Sequence, residues 1–226
     1  MRRLDVQRLG VVPYAEALEL QKHLVEERRA GRVPDTLLLL QHPHVLTVGV
    51  KKEGRSHILA EPGRLEALGV DVFETGRGGD VTYHGPGQIV GYPILDLNPD
   101  RRDVHRYVRD LEEVMIRVCA RSGVEAGRIP GLSGTWVTRP ERGSEKIGAI
   151  GVRISRWITS HGFAFNVSTA LDFFGLIVPC GISDRGVTSL EAVTGRLHAI
   201  ADVETAFVDE FVAVFEREVT IARSTI

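Results

Sequence analysis

The sequence predicts an α/β or α+β domain in which a mixed central sheet is flanked by helices. Three observations carry that expectation. Short apolar runs bounded by Pro and Gly cluster in the middle of the chain, as buried strands do. Three longer stretches carry apolar residues at helical spacing. No repeat, low-complexity tract or Pro/Ser-rich linker divides the 226 residues, so the whole chain, 1–226, is expected to be one domain.

The elements follow in order. Residues 13–30 place Pro13 near a helix start, apolar residues at 14, 17, 18, 20, 24 and 25, and Gly31 just past the end. Residues 35–43 and 44–50 are apolar runs with strand character. Residues 70–95 read as strand, glycine-rich loop, strand, second turn and strand, with polar punctuation between 75 and 88. A helical stripe at 104, 108, 111, 115 and 118 defines a helix over 103–122 that Gly123 ends. Strands return at 134–137, 146–155 and 157–167, and a helix over about 201–218 closes the pattern.

Composition excludes several classes. A hydrophobic fraction of 43%, a charged fraction of 26% and a mean hydropathy near zero are those of an ordinary globular protein. The formal charge of −2 speaks against non-specific nucleic-acid binding. The first twenty residues lack the apolar core of a secretory signal, and no apolar segment approaches the roughly 18 residues of a membrane span, so a cytoplasmic protein without membrane partners is expected. Two cysteines cannot form a disulfide framework, and neither sits at zinc spacing, so no metal is expected.

Cys119 lies late in the 103–122 helix and reads as a small core hydrophobe. Cys180 has different neighbours. In Leu-Ile-Val-Pro-Cys-Gly-Ile-Ser-Asp-Arg-Gly, Pro179 ends an apolar run and Gly181 frees the backbone beside the thiol, a strand-to-turn edge where sulfur can face a cleft. A nucleophilic thiol must be ionised, which calls for a nearby cation or exposed amides. Only four lysines stand against twenty-four arginines, and Lys146 is the one in an apolar, glycine-rich segment, Lys-Ile-Gly-Ala-Ile-Gly. Its ordinary reading is a snorkelling surface lysine. An ammonium partly withdrawn from water is also what could hold a thiolate, and the two glycines suggest a strand beneath a ligand. The segment Arg77 to Gln88 is neither a dinucleotide fingerprint nor a phosphate loop. Its glycines let backbone approach a flat or extended ligand, and His84 within it could bind or exchange protons. His161, in Ser-His-Gly-Phe-Ala-Phe-Asn, is as well explained structurally as functionally.

These segments, in this order, resemble the lipoyl(octanoyl) transferase family over about residues 4–195. The resemblance implies a fold shared with biotin protein ligases and lipoate ligases. It also implies transfer of an octanoyl group from octanoyl-acyl carrier protein to a lysine of lipoyl domains, those of 2-oxoacid dehydrogenase complexes and the glycine cleavage H protein, in lipoate biosynthesis. Cys180 would become the acyl thioester and Lys146 its acid/base partner. Arg77, Gly78, Gly79, Asp80, Val81, Thr82, Tyr83 and His84, with Ala149, Ile150, Gly151, Gly162, Phe163 and Ala164, match the family's substrate-binding segments. No cofactor is implied, because a thioester is already activated. Tyr92, Ile150 and Phe163 are plausible walls of an acyl slot, and Arg77, Arg153 and Arg156 are candidates for a basic rim that attracts the acidic carrier protein. A ligase that makes an acyl-adenylate, a cysteine thioesterase and a non-catalytic module that binds carrier protein or lipoyl domain are the rival readings; the ligases' serine before three glycines is absent from residues 77–88.

Overall fold

A computed structural model describes residues 2–98, 100–178 and 185–219. The strands are β1 (Arg2–Val11), β2 (Asp35–Gln41), β3 (Val45–Val48), β4 (Asp71–Glu74), β5 (Val81–His84), β6 (Gln88–Ile94), β7 (Gly127–Ile129), β8 (Leu132–Arg139), β9 (Gly143–Ser155), β10 (Ile158–Asn166) and β11 (Arg217–Val219). The helices are α1 (Tyr14–Arg29), α2 (Pro62–Ala67), α3 (Val104–Arg121), α4 (Leu190–Thr194) and α5 (Ile200–Phe215). Eight strands form one mixed sheet in the order β11-β1-β2-β6-β10-β9-β8-β7, and three form a smaller sheet in the order β4-β3-β5. The expected fold, a mixed sheet flanked by helices, is the one observed.

Alternation along the strands sorts the core. Leu37 and Leu39 of β2, with Phe163 and Phe165 of β10, face α3 and α5. Leu38 and Leu40, with Val90 and Tyr92 of β6, face α1. Helix α3 begins where the Asp103 carboxylate accepts from the Arg106 N–H, and its stripe Leu111, Met115, Val118 is fully buried. Cys119 lies in the same core, where burial pushes its thiol up to about 12, as suits an inert side chain. The small sheet has its own core of Leu46, Val81, Tyr83, Phe174 and Leu176.

Two departures from the sequence expectation lie at one edge of the large sheet. Residues 2–11 form a strand, and the last helix ends at Phe215 rather than near 218. Glu216 turns left-handed at φ 53°, and β11 then pairs in parallel with β1. The cause is electrostatic. The Arg217 side chain, 1% exposed, reaches Asp35 at 3.0 Å and Asp100 at 2.9 Å, so helical continuation would forfeit a buried ion cluster. Among the described residues no helix is long and apolar enough to cross a membrane.

Candidate active site

A cavity of about 350 Å³ opens between the two sheets. From the large sheet it takes Val90 and Tyr92 of β6, Lys146, Ala149, Ile150 and Gly151 of β9, and His161, Gly162, Phe163 and Ala164 of β10. The small sheet contributes Thr82 and His84, the loop before it Arg77, Gly79 and Asp80, and α1 its first residue, Tyr14. The β9–β10 register sets Ala149 opposite Ala164 and Gly151 opposite Gly162, which keeps the floor low.

Local sequence explains which side chains face this space. Strand alternation on β5 turns Thr82 and His84 to the cavity and Val81 and Tyr83 into the opposite core, where the Tyr83 hydroxyl lies 2.8 Å from His44 Nδ1. Gly78 does not line the cavity; its N–H donates to the Val152 carbonyl and ties the loop to β9. Ile150 and Phe163 line the cavity, yet they pack with the α3/α5 core, and the Phe163 ring stacks on Phe207 at 4.9 Å. A β-carbon on Gly91 would come within 2.1 Å of the Phe163 ring.

Of the two glycines in the Lys146 segment, Gly151 lines the cavity, and both Gly148 and Gly151 also accommodate neighbouring side chains. A β-carbon on Gly148 would meet Met115 Sδ at 2.5 Å, and one on Gly151 would meet Arg77 Cδ at 2.9 Å. Both positions make room for the protein's own side chains. Arg77, expected on an exposed rim, is buried: its Nη2 donates to the Thr47 carbonyl at 2.5 Å and to Thr47 Oγ1 at 2.9 Å. Arg153 and Arg156 are exposed.

Three buried histidines meet around this cavity, and burial holds each neutral at pH 7. Desolvation lowers His42 to about 4, His84 to about 3 and His161 to about 4. Hydrogen bonds fix the tautomers of two of them, His42 and His84. The His42 Nδ1–H donates to the Val12 carbonyl, so Nε2 accepts from the Tyr92 hydroxyl at 2.7 Å. The Gln88 amide donates to the Tyr83 carbonyl and to Asn166, so its oxygen accepts from the His84 Nδ1–H at 2.7 Å. His84 Nε2 lies 3.3 Å from the Thr47 hydroxyl. This chain continues through Asn166 to the Thr188 carbonyl, and the Thr188 N–H donates to the Lys146 carbonyl. His84 is therefore a neutral link in a network that joins Arg77 to Lys146, rather than a free acid or base.

Lys146 is 9% exposed, and its Nζ lies 4.7 Å from the centroid of the Trp136 ring. Cys180 lies in 179–184, outside the described residues. The residues on either side of that segment are held by backbone pairs: the Val178 N–H donates to the His57 carbonyl, and the Lys146 N–H donates to the Gly186 carbonyl. Val187 thus bridges in parallel to Lys146 itself. Among the described residues no three His, Cys, Asp or Glu side chains are grouped to hold a metal ion. Sequence reasoning missed Tyr14, His42, Thr47, Lys51, Gln88 and the 131–133 stretch at the start of β8. In the sequence Tyr14 belongs to a helical stripe, and the His-Pro-His at 42–44 is the one signal for His42.

The model of the lipoyl protein ligase A/B catalytic domain matches residues 13–212. A Rubrobacter xylanophilus protein named Octanoyltransferase is 54% identical, the match covering 92% of each chain. One of the same name from Myxococcus xanthus is 51% identical over 96% of this chain, which spans 61% of that relative's length. Among solved structures, a Thermoplasma acidophilum putative lipoate protein ligase with bound lipoic acid superimposes with a TM-score of 0.69 at 15% identity, covering 96% of this chain and 88% of that one. The Aquifex aeolicus biotin protein ligase in complex with biotin and ATP gives 0.57 at 13% identity, covering 96% and 71%. Those two likenesses speak to the fold, the sheet-and-cavity frame described above. With a matching family model over most of its length and half its residues shared with such relatives, the chain belongs to the lipoyl protein ligase A/B catalytic-domain family and groups there with the octanoyltransferases.

Proposed function

We propose that this protein transfers an octanoyl group from the thioester of octanoyl-acyl carrier protein to the acceptor lysine of a lipoyl domain, by way of a thioester on Cys180. The observation that carries the reading is the backbone bridge that brings the chain leaving the Cys180 segment onto Lys146, at the edge of an apolar cavity. The family membership agrees with it.

In the first half-reaction the Lys146 amine takes the Cys180 proton. The thiolate attacks the thioester carbonyl, a new C–S bond forms, the old one breaks, and the departing pantetheine sulfur takes the proton back. In the second, the acceptor amine attacks the Cys180 thioester, its C–S bond breaks, and Lys146 takes the amine's proton and returns it to the departing Cys180 sulfur, leaving an amide and a free thiol. The acyl chain lies over Ala149, Gly151, Gly162 and Ala164. Arg77, Gly78, Gly79, Asp80, Val81, Thr82, Tyr83 and His84 act as a unit: Arg77, Gly79, Asp80, Thr82 and His84 face the chain, and the others hold them in place. Arg153 and Arg156 attract the acidic donor from the exposed edge.

Intact mass spectrometry after mixing with octanoyl-carrier protein, then with an apo lipoyl domain, tests this. Wild type and Cys119→Ser should gain one octanoyl group and pass it on, while Cys180→Ser should form no dischargeable adduct. An adduct that yields only free octanoate would make the protein a thioesterase. No adduct on any variant with the donor intact would refute the covalent route and restore the adenylate-forming and binding-only readings.

A further inference from the structure

A second cavity, about 520 Å³, lies between α1 and the β9–β10 strands, with Leu18, Val25 and Ile158 on its apolar side. Among the described residues His161 is the one that lines both cavities. We infer that His161 is the wall that ends the acyl slot and sets the chain length accepted; this rests on the acyl-transfer reading above.

The length of the slot supports the assignment. In register, Ala149 faces Ala164 and Val152 faces His161, so the floor between them is three residue rises, about 10 Å. Backbone covalent geometry gives about 1.2 Å of advance per bond in an extended chain, so eight carbons span about 8 Å. An eight-carbon chain fills the floor and its methyl meets His161; four more carbons have nowhere to go.

The wall is also firmly built. His161 sits at φ 53°, in the left-handed region, which takes its ring out of ordinary strand geometry. The His161 backbone N–H donates to the Gln21 Oε1 at 2.8 Å, and Gln21 is 2% exposed. The imidazole meets the Tyr92 ring edge-on at 6.4 Å, and Tyr92 is itself fixed by His42. Displacing His161 would therefore disturb a braced stack, not a loose rotamer. Removing the ring would join the two cavities and let added carbons lie along Leu18, Val25 and Ile158.

Two variants suit the backbone: His161→Gly, because glycine adopts a positive φ freely, and His161→Asn, which also tolerates it and is shorter than histidine. The experiment is calorimetric affinity for octanoate and dodecanoate with the full chain, beside octanoyl transfer by the same preparations. Each methylene in an apolar pocket changes discrimination by about tenfold or more. Wild type should bind octanoate more tightly, and in His161→Gly the dodecanoate-to-octanoate affinity ratio should rise at least about tenfold, with His161→Asn between. Val25→Ala, which widens only the outer cavity, should leave the ratio at the wild-type value. A ratio within twofold of wild type in both folded His161 variants would overturn the inference, as would a Val25→Ala shift equal to that of His161→Gly. Failure of wild type to transfer octanoyl would instead sink the functional reading while the binding ratios still report on the wall.

Discussion

Acidification should destabilise this protein well before its carboxylates are neutralised, because of three imidazoles. His42, His84 and His161 are held neutral in the fold down to about 4, 3 and 4, against 6.5 in the unfolded chain. As pH falls through 6.5 the unfolded chain takes up protons that the folded chain refuses, so the unfolded state binds more protons and stability falls with falling pH. Between pH 7.0 and 5.5 each such histidine removes about 1.2 kcal/mol, and the three together about 4 kcal/mol. Asp110 and Glu204, whose carboxyls burial pushes up, act in the opposite sense. A difference experiment cancels them. His42→Gln keeps a donor for the Val12 carbonyl and an acceptor for the Tyr92 hydroxyl but cannot titrate. Urea unfolding at pH 7.0 and 5.5 should show the wild-type loss shrinking by about 1.2 kcal/mol in this variant. Equal pH dependence in the two proteins would refute the claim that His42 is buried neutral.

Gly91→Ala pushes a methyl into the Phe163 ring that stacks on Phe207, and overpacking there should cost about 1–3 kcal/mol by denaturant unfolding. Asp35→Asn strips the buried carboxylate shared by Arg2, Arg28 and Arg217 and should cost about 3–5 kcal/mol, whereas Arg121→Ala, which removes surface pairs with Asp209 and Glu210, should stay within about 1 kcal/mol. Gly151→Ala displaces Arg77 from its place beside Thr47. Octanoyl transfer, measured by lipoyl-domain mass, should fall at least about tenfold, the effect of losing one to two kcal/mol of orientation.

The central strands were legible because they obey a simple rule: Leu37–Leu40 are buried on both faces and so read as an unbroken apolar run. Helix α3 was legible because its stripe and its Asp103 and Gly123 ends agree. The first strand was not, since Arg2–Val11 alternates polar and apolar residues only weakly and is half-buried along much of its length. Nor could periodicity end α5 at Phe215, because the determinant, Asp35, is far away in sequence. At the site, residue type pointed to Lys146, but the sequence shows only that a β-carbon is absent at Gly148 and Gly151, not that Met115 and Arg77 lie where it would be. Arg77 was placed on the rim for the same reason, since charge predicts exposure unless a partner such as Thr47 is known.

The pairing of β11 with β1 also bears on synthesis. Asp35 emerges early from the ribosome with Arg2 and Arg28 beside it, but its fully buried partner, Arg217, follows 182 residues later. The nascent chain must keep that carboxylate and its first two guanidiniums partly hydrated until Arg217 has been made. The β11–β1 edge of the large sheet therefore cannot close until Arg217 has been made, after every residue that lines the cavity.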